Sequence, residues 1–178
     1  MKIINTKFKG LKIIKQANFK DERGSLRITY SKNVIKKNNF IFEYCTNSKK
    51  NSLRGFHFQS KHQQAKYVTV IKGKIFDCVI DLRKKSKTYC KVFKITLSDK
   101  NNLSLYIPKG FAHAYYSCEK ENIIYYKLDN YYQPKYEDGI NPLDRDLKIK
   151  WPSKFFLISK KDKSLKLLED FKQKYKFL

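Results

Sequence analysis

The chain is short of negative charge. Only 16 Asp and Glu stand against 40 Lys and Arg over 178 residues, a formal charge of +24. It is also short of arginine, which occurs only at 23, 27, 54, 83 and 145, so the other 35 basic residues are lysine. A charge this large raises nucleic acid and anionic membranes as partners. The scarcity of Arg argues against them, because bidentate recognition of phosphates and bases favours the guanidinium, whereas dispersed Lys coats a soluble surface. Four Pro and six Gly leave no low-complexity linker. With 41% hydrophobic and 15% aromatic residues the chain fills a core rather than staying disordered. Cys45, Cys78, Cys90 and Cys118 form no C-x-x-C pair, which excludes the usual zinc and redox spacings. Long apolar runs are missing too. Lys or Asn breaks every one near the N-terminus before a signal-peptide core forms, and no stretch approaches the ~20 apolar residues of a membrane span. These absences predict a soluble, cytoplasmic protein without a disulfide framework.

What is present reads as strand. Apolar runs in 66–82 flank Lys72-Gly73-Lys74, which predicts a hairpin. If 75–82 is extended, Asp77, Val79 and Asp81 share one face, and either a solvated surface or a polar network accounts for the two carboxylates. Further strands are expected at 39–45, 91–97, 103–107, 113–117 and 122–128, with turns at 47–51, 98–102 and 108–110. Many short strands without intervening helices predict an all-β sandwich or barrel. Over 164–178 the period changes: Leu168, Phe171, Tyr175 and Leu178 fall at helical spacing behind Ser164, a candidate N-cap.

Three histidines bear on chemistry. In 52–59 an extended backbone puts His57 and Gln59 on one side and Phe56 and Phe58 on the other, so that His57 and Gln59 face a ligand cavity. A lone hydrogen-bonded structural His is the competing reading. His113 follows Gly110-Phe111-Ala112, and His62 lies in a hydrophilic run expected to be an exposed loop. His57 and His113 alone lack the third protein ligand of a catalytic zinc or iron site, so no metal is expected.

The order of short motifs is more specific than any one of them. Asp21-x-Arg23-Gly24, Leu53-Arg54-Gly55-Phe56-His57, Gln64-Ala65-Lys66 and Gly73-x-Ile75-Phe76-Asp77 are followed by Asp81-Leu82-Arg83-x-x-Ser86-x-Thr88 and Ile107-Pro108-x-Gly110-Phe111-Ala112-His113. Tyr126-Lys127, Tyr132-x-Pro134, Ile149-x-Trp151-Pro152 and Ser159-x-Lys161-Asp162 complete the series. This set resembles the dTDP-4-dehydrorhamnose 3,5-epimerase family of metal-free cupins over nearly the whole chain.

The resemblance implies one cupin-type jelly-roll domain over 1–178, with its core at about 20–152, a helical C-terminal segment at about 164–178, and no cofactor. It implies a nucleotide-linked 4-keto-6-deoxy sugar as substrate, epimerised at C3, C5 or both. His57 matches the general base, Asp162 the carboxylate that orients it, Lys66 the cation near the enolate oxygen, and Tyr126 the acid on the opposite face. Arg23 and Arg54 match pyrophosphate contacts, and His113 and Tyr132 line the same pocket. A homodimer is implied, with Arg23 acting across the interface. Arg83 reads as structural. Departures fall at the nucleotide end, where Leu26 and Ile28 replace an aromatic and Glu and Phe42 and Tyr44 replace Gln and Asn; separately, Ala114 replaces Gly after Ala112-His113. They keep open a GDP- or other NDP-linked sugar or heptose, or action at one carbon only. The alternatives of another class are a nucleic-acid-binding β-barrel and an inactive sugar-binding module.

Overall fold

The computed structural model describes residues 1–175. Its strands are β1 (Lys2–Asn5), β2 (Lys12–Lys15), β3 (Ala17–Asp21), β4 (Gly24–Ile28), β5 (Phe42–Lys49), β6 (Ser52–Gln59) and β7 (Lys66–Lys72). They continue with β8 (Lys74–Asp81), β9 (Val92–Ser98), β10 (Leu103–Ile107), β11 (Phe111–Ser117), β12 (Glu121–Leu128), β13 (Glu137–Gly139) and β14 (Leu157–Ile158). Two short helices follow, α1 (Lys160–Lys163) and α2 (Leu168–Lys174). One sheet runs β1-β2-β10-β7-β12-β5 and the other β13-β6-β11-β8-β9, with β14 beside β6. The result is an all-β sandwich of the cupin jelly-roll type with short C-terminal helices.

The interior follows from alternation. Along β12, Asn122, Ile124, Tyr126 and Leu128 are buried while Ile123, Tyr125 and Lys127 are partly exposed. Between the sheets, Ile124, Tyr126 and Leu128 pack with Val68, Val70, Val79, Leu105, Phe111 and Tyr115. β11 is buried at all seven positions, because its sheet is covered outside as well. There Phe56, Phe58, Ala112 and Ala114 meet Ile140, Leu147, Leu168 and Phe171 from the C-terminal segment. Truncating a residue as enclosed as Phe171 costs about 3–5 kcal/mol. The outer face of the first sheet is covered by 29–40, where Tyr30 and Phe40 meet Tyr67 edge-on.

Three expectations are corrected. β7 and β8 do not pair: Gly73 is the corner where the chain passes from one sheet to the other, at φ +86°, with the Glu121 carbonyl oxygen 2.4 Å from where a Cβ would lie. The sandwich begins at Lys2 rather than near residue 20, because β1 and β2 extend the first sheet beyond β10. The C-terminal segment holds two helices: Ser159 caps α1, Ser164 ends it, and Leu168 and Phe171 bury one face of α2. Leu178 lies outside the described residues. β8 also settles its two carboxylates. Both are fully buried in a polar network, Asp81 accepting bonds from Arg83, Ser86 and Thr88.

Candidate active site

An extra residue in β6 shapes the site. Against β11, His57 pairs with His113 and Arg54 with Tyr115, so three steps on one strand match two on the other. Such a bulge resets the alternation and turns both Arg54 and His57 to the cavity. Gly55 occupies it at φ +111°, where a Cβ would lie 2.4 Å from the His113 carbonyl oxygen; glycine alone fits. The Arg54 Nε–H donates to Ser48 Oγ on β5 at 3.2 Å.

His57 Nε2 lies 2.8 Å from Asp162 Oδ1, and Asp162 Oδ2 accepts from the Gly55 N–H at 3.2 Å. Asp162 is placed by α1, whose N-cap Ser159 accepts the Asp162 N–H at 3.0 Å. Burial pushes its carboxyl up, but the His57 ring, Gly55 and Ser159 outweigh that and hold it below the ordinary value. Bonded this way, the neutral ring carries its proton on Nε2 and leaves Nδ1 free to accept one.

The facing sheet supplies the other two groups. Lys66, at the start of β7, is brought down to about 8 by burial, with Glu137 and Asp77 pulling it back up. It borders a cavity of about 200 Å³ lined also by Gln59, Gln64, Arg83 and Phe111. Tyr126 projects inward from β12 and is 3% exposed. Burial raises its phenol well above the ordinary value, helped by Tyr115, Tyr44 and Asp77 and opposed by Arg54. His113 meets the Tyr126 ring edge-on at 6.0 Å, and its Nε2 lies 2.7 Å from the buried Asp77 Oδ2.

The remaining predicted residues divide. The Tyr132 hydroxyl donates to Glu137 Oε2 at 2.5 Å, and Lys161 pairs with the same carboxylate. Gln59 lines the cavity of about 200 Å³, whereas His57 lines a separate cleft with Arg54 and Asp162, and the Gln59 amide is engaged with the chain: Nε2 donates to the His62 carbonyl at 2.7 Å, and Oε1 accepts the Gln133 N–H at 2.7 Å. It holds the segment carrying Tyr132. Arg23 is not brought to the others. It lies exposed in the turn of the β3–β4 hairpin, paired with Asp21 at 2.6 Å. Arg83 is structural, bound to Asp81 and lying over the Phe111 ring.

Sequence reasoning missed four residues here. Asp77 and Lys161 stood inside recognised motifs without a stated role; Glu137, five residues after Tyr132, gave no signal beyond that spacing. Tyr44 was noticed only as a departure, yet it is stacked on Tyr126. Among the described residues, no three His, Cys, Asp or Glu side chains are gathered as a metal would need.

A jelly roll holding a carboxylate-bound imidazole on one wall, and an ammonium and a phenol on the other, is an isomerase of the epimerase class: it is equipped to take a proton from carbon and return one. The sequence profile described as dTDP-4-dehydrorhamnose 3,5-epimerase matches residues 5–170. An enzyme of that name from Methanothermobacter thermautotrophicus is 37% identical over 176 residues, covering 95% of each chain. Another from Salmonella typhimurium is 35% identical, covering 95% of this chain and 96% of that one. The crystal structure of the Legionella pneumophila dTDP-6-deoxy-D-glucose-3,5-epimerase, in complex with dTDP-4-keto-L-rhamnose, superposes with a TM-score of 0.90 at 36% identity, over 94% of this chain and 93% of that one. The chain belongs to the dTDP-4-dehydrorhamnose 3,5-epimerase family.

Proposed function

We propose that the protein epimerises a nucleotide-linked 4-keto-6-deoxy sugar, of the dTDP-4-dehydrorhamnose kind, at C3, C5 or both, in deoxysugar biosynthesis. The observation that carries this reading is the Asp162-bound His57 of one sheet, lying beside His113, whose ring meets that of Tyr126 on the other.

The ketone acidifies the C–H bonds beside it. His57 Nδ1 takes one such proton, and the imidazolium so formed is stabilised by the Asp162 carboxylate at Nε2. Negative charge moves to the C4 oxygen, where the Lys66 ammonium holds it. Tyr126 then gives its phenolic proton to the same carbon from the opposite face, and configuration inverts. General acid–base steps of this kind each contribute about 10²–10⁴-fold. The Arg54 guanidinium suits the pyrophosphate.

A second copy of the chain supplies Arg23 in this reading. The β3–β4 hairpin pairs only with itself, and its cross-strand residues Phe19 and Leu26 are exposed at 60% and 64%. That leaves an arm with apolar surface and a free end for a partner's pocket, in a cytoplasmic homodimer. Light scattering tests the dimer, and Arg23→Ala is expected to raise KM rather than lower kcat.

The deciding experiment incubates the purified protein with dTDP- and GDP-linked 4-keto-6-deoxy sugars in deuterium oxide. Deuterium entering C3, C5 or both, with inversion, is expected for the dTDP-linked sugar. No exchange with either substrate overturns the reading. Exchange with the GDP-linked sugar alone moves the substrate to another nucleotide, the outcome to which Phe42 and Tyr44, beside Tyr126, would then answer.

A further inference from the structure

Tyr126 has a buried ring, and among the described residues its hydroxyl has no hydrogen-bond partner. By contrast, the neighbouring Tyr115 hydroxyl is tied to Thr46 Oγ1 at 3.0 Å and Ser48 Oγ at 2.9 Å. A phenol that gives up and regains a proton in each turnover cannot be aimed by a strong bond at that same oxygen without competition. Its direction must come from contacts to the ring. Two are present. His113 touches the ring edge-on at 6.0 Å, and Tyr44 is stacked on it with centroids 4.8 Å apart and planes at 21°.

The stack is built by the sheet. Tyr44 on β5 is the register partner of Tyr126 on β12, so both rings rise from one rung toward the cavity. Tyr44 is 37% exposed against 3% for Tyr126, so the stack lays a solvent-facing ring on a buried one. Phe42 packs behind Tyr44 at 5.8 Å and touches Tyr131 at 6.1 Å. The ionisable groups around Tyr126 are Tyr115 and His113 on β11, Asp77 on β8, Arg54 on β6 and Tyr44 itself; Tyr44 is faced also by Glu137 and Tyr132.

We propose that Tyr44 is a positioning residue for the proton donor: its ring, stacked on Tyr126, aims the Tyr126 hydroxyl at the carbon being reprotonated and keeps water off it. The inference rests on the epimerase reading and adds to it a residue that decides the fate of the enolate. When Tyr126 is aimed, the enolate carbon takes the proton from Tyr126 and inverts. When it is not, the carbon takes a proton back from the His57 imidazolium on the face it left. That imidazolium has exchanged with solvent, so the sugar gains deuterium without inversion.

The test compares unmutated protein with Tyr44→Ala, Tyr44→Leu and Tyr44→Phe in deuterium oxide, following deuterium entry by mass and inversion by proton NMR. Tyr44→Ala and Tyr44→Leu are expected to keep the rate of deuterium entry within about threefold while inversion falls about 10²-fold, the scale of a misplaced reacting group. Their alkaline limb for inversion moves to lower pH as Tyr126 becomes wetter. Tyr44→Phe, which keeps the ring, restores the unmutated ratio of inversion to exchange. Proportionate loss of exchange and inversion in Tyr44→Ala, no change in either, or a Tyr44→Phe variant that behaves like Tyr44→Ala overturns the proposal alone. Absence of exchange in the unmutated protein overturns the epimerase reading as well.

Discussion

Two histidine–aspartate pairs lie side by side in one sheet, His57 and His113 being register partners on β6 and β11. His57 with Asp162 and His113 with Asp77 have nearly the same separation, 2.8 and 2.7 Å. Their surroundings differ. The His57 side chain is 29% exposed and Asp162 is held below its ordinary value by bonds to both oxygens. The His113 side chain is 5% exposed, and Asp77 is pushed up by burial, with His113 and Lys66 only partly offsetting it. Among the described residues, Asp77 Oδ1 has no hydrogen-bond partner. A pair of residue types is therefore not a role. The fully bonded, partly wet pair suits a base that charges and discharges; the dry, under-bonded pair suits a floor that shapes the pocket and supports the Tyr126 ring.

That contrast breaks most sharply at the imidazoles. His57→Ala should abolish deuterium entry into the sugar, a loss of about 10²–10⁴-fold or more. Survival of exchange within tenfold would transfer the base role elsewhere. Tyr126→Phe comes next: it should cut inversion about 10²-fold or more while leaving initial proton loss nearly intact. The carboxylates follow. Asp162→Asn is expected to lower kcat about 10²-fold, and Asp77→Asn no more than about tenfold, since an amide can replace a carboxyl already disposed to protonation. Equal losses would erase the distinction between the pairs.

Lys66 gives a smaller and more graded effect. Its ammonium, brought down to about 8 by burial, should cause kcat/KM to fall as pH rises through that value. Folding stability responds oppositely. A lysine with a folded value below 10.5 binds fewer protons folded than unfolded, so its contribution to stability rises with pH between about 8 and 10.5. Lys66→Arg should remove the alkaline loss of activity that this lysine causes.

The smallest effect is read in thermal melts on the acid side. Asp162, lowered from 3.8, contributes stability that is present above 3.8 and lost as pH falls through its folded value. The melting difference between unmutated protein and Asp162→Asn should therefore shrink toward acid. Asp77, raised from 3.8, binds its proton first in the folded state, so the corresponding difference for Asp77→Asn should shift in favour of unmutated protein as pH falls toward 3.8. Differences of the same sign would refute the assigned environments.

Much of this was legible in the order of residues. The alternation of β12 put Tyr126 and Tyr125 on opposite faces, and the structure places Tyr125 outside with Glu43. In β6 the alternation of Phe56 and Phe58 with His57 and Gln59 was readable if the segment is extended, but the bulge at Gly55 was not. What could not be read depended on partners far along the chain. β2 is a four-residue strand held by β10 about ninety positions later, and β1 joins the sheet only through β2. The run around Gly73 looks like a hairpin turn because apolar residues flank it, but turning a corner between sheets demands the same glycine. Glu137 acquires its place only when β13 pairs with β6 opposite Gln59.

The bulge at Gly55 has a consequence for how this enzyme can change. Along a strand, the side a residue faces is a matter of odd or even count, and here the extra residue gives Arg54 and His57, three apart, the same parity. Removing one codon at position 55 would leave them two apart, which a regular strand also puts on one face, but it would bring the two side chains one residue nearer together. The distance between Arg54 and His57 is thus written in strand length as well as in residue type, and variation by single substitutions cannot reach it.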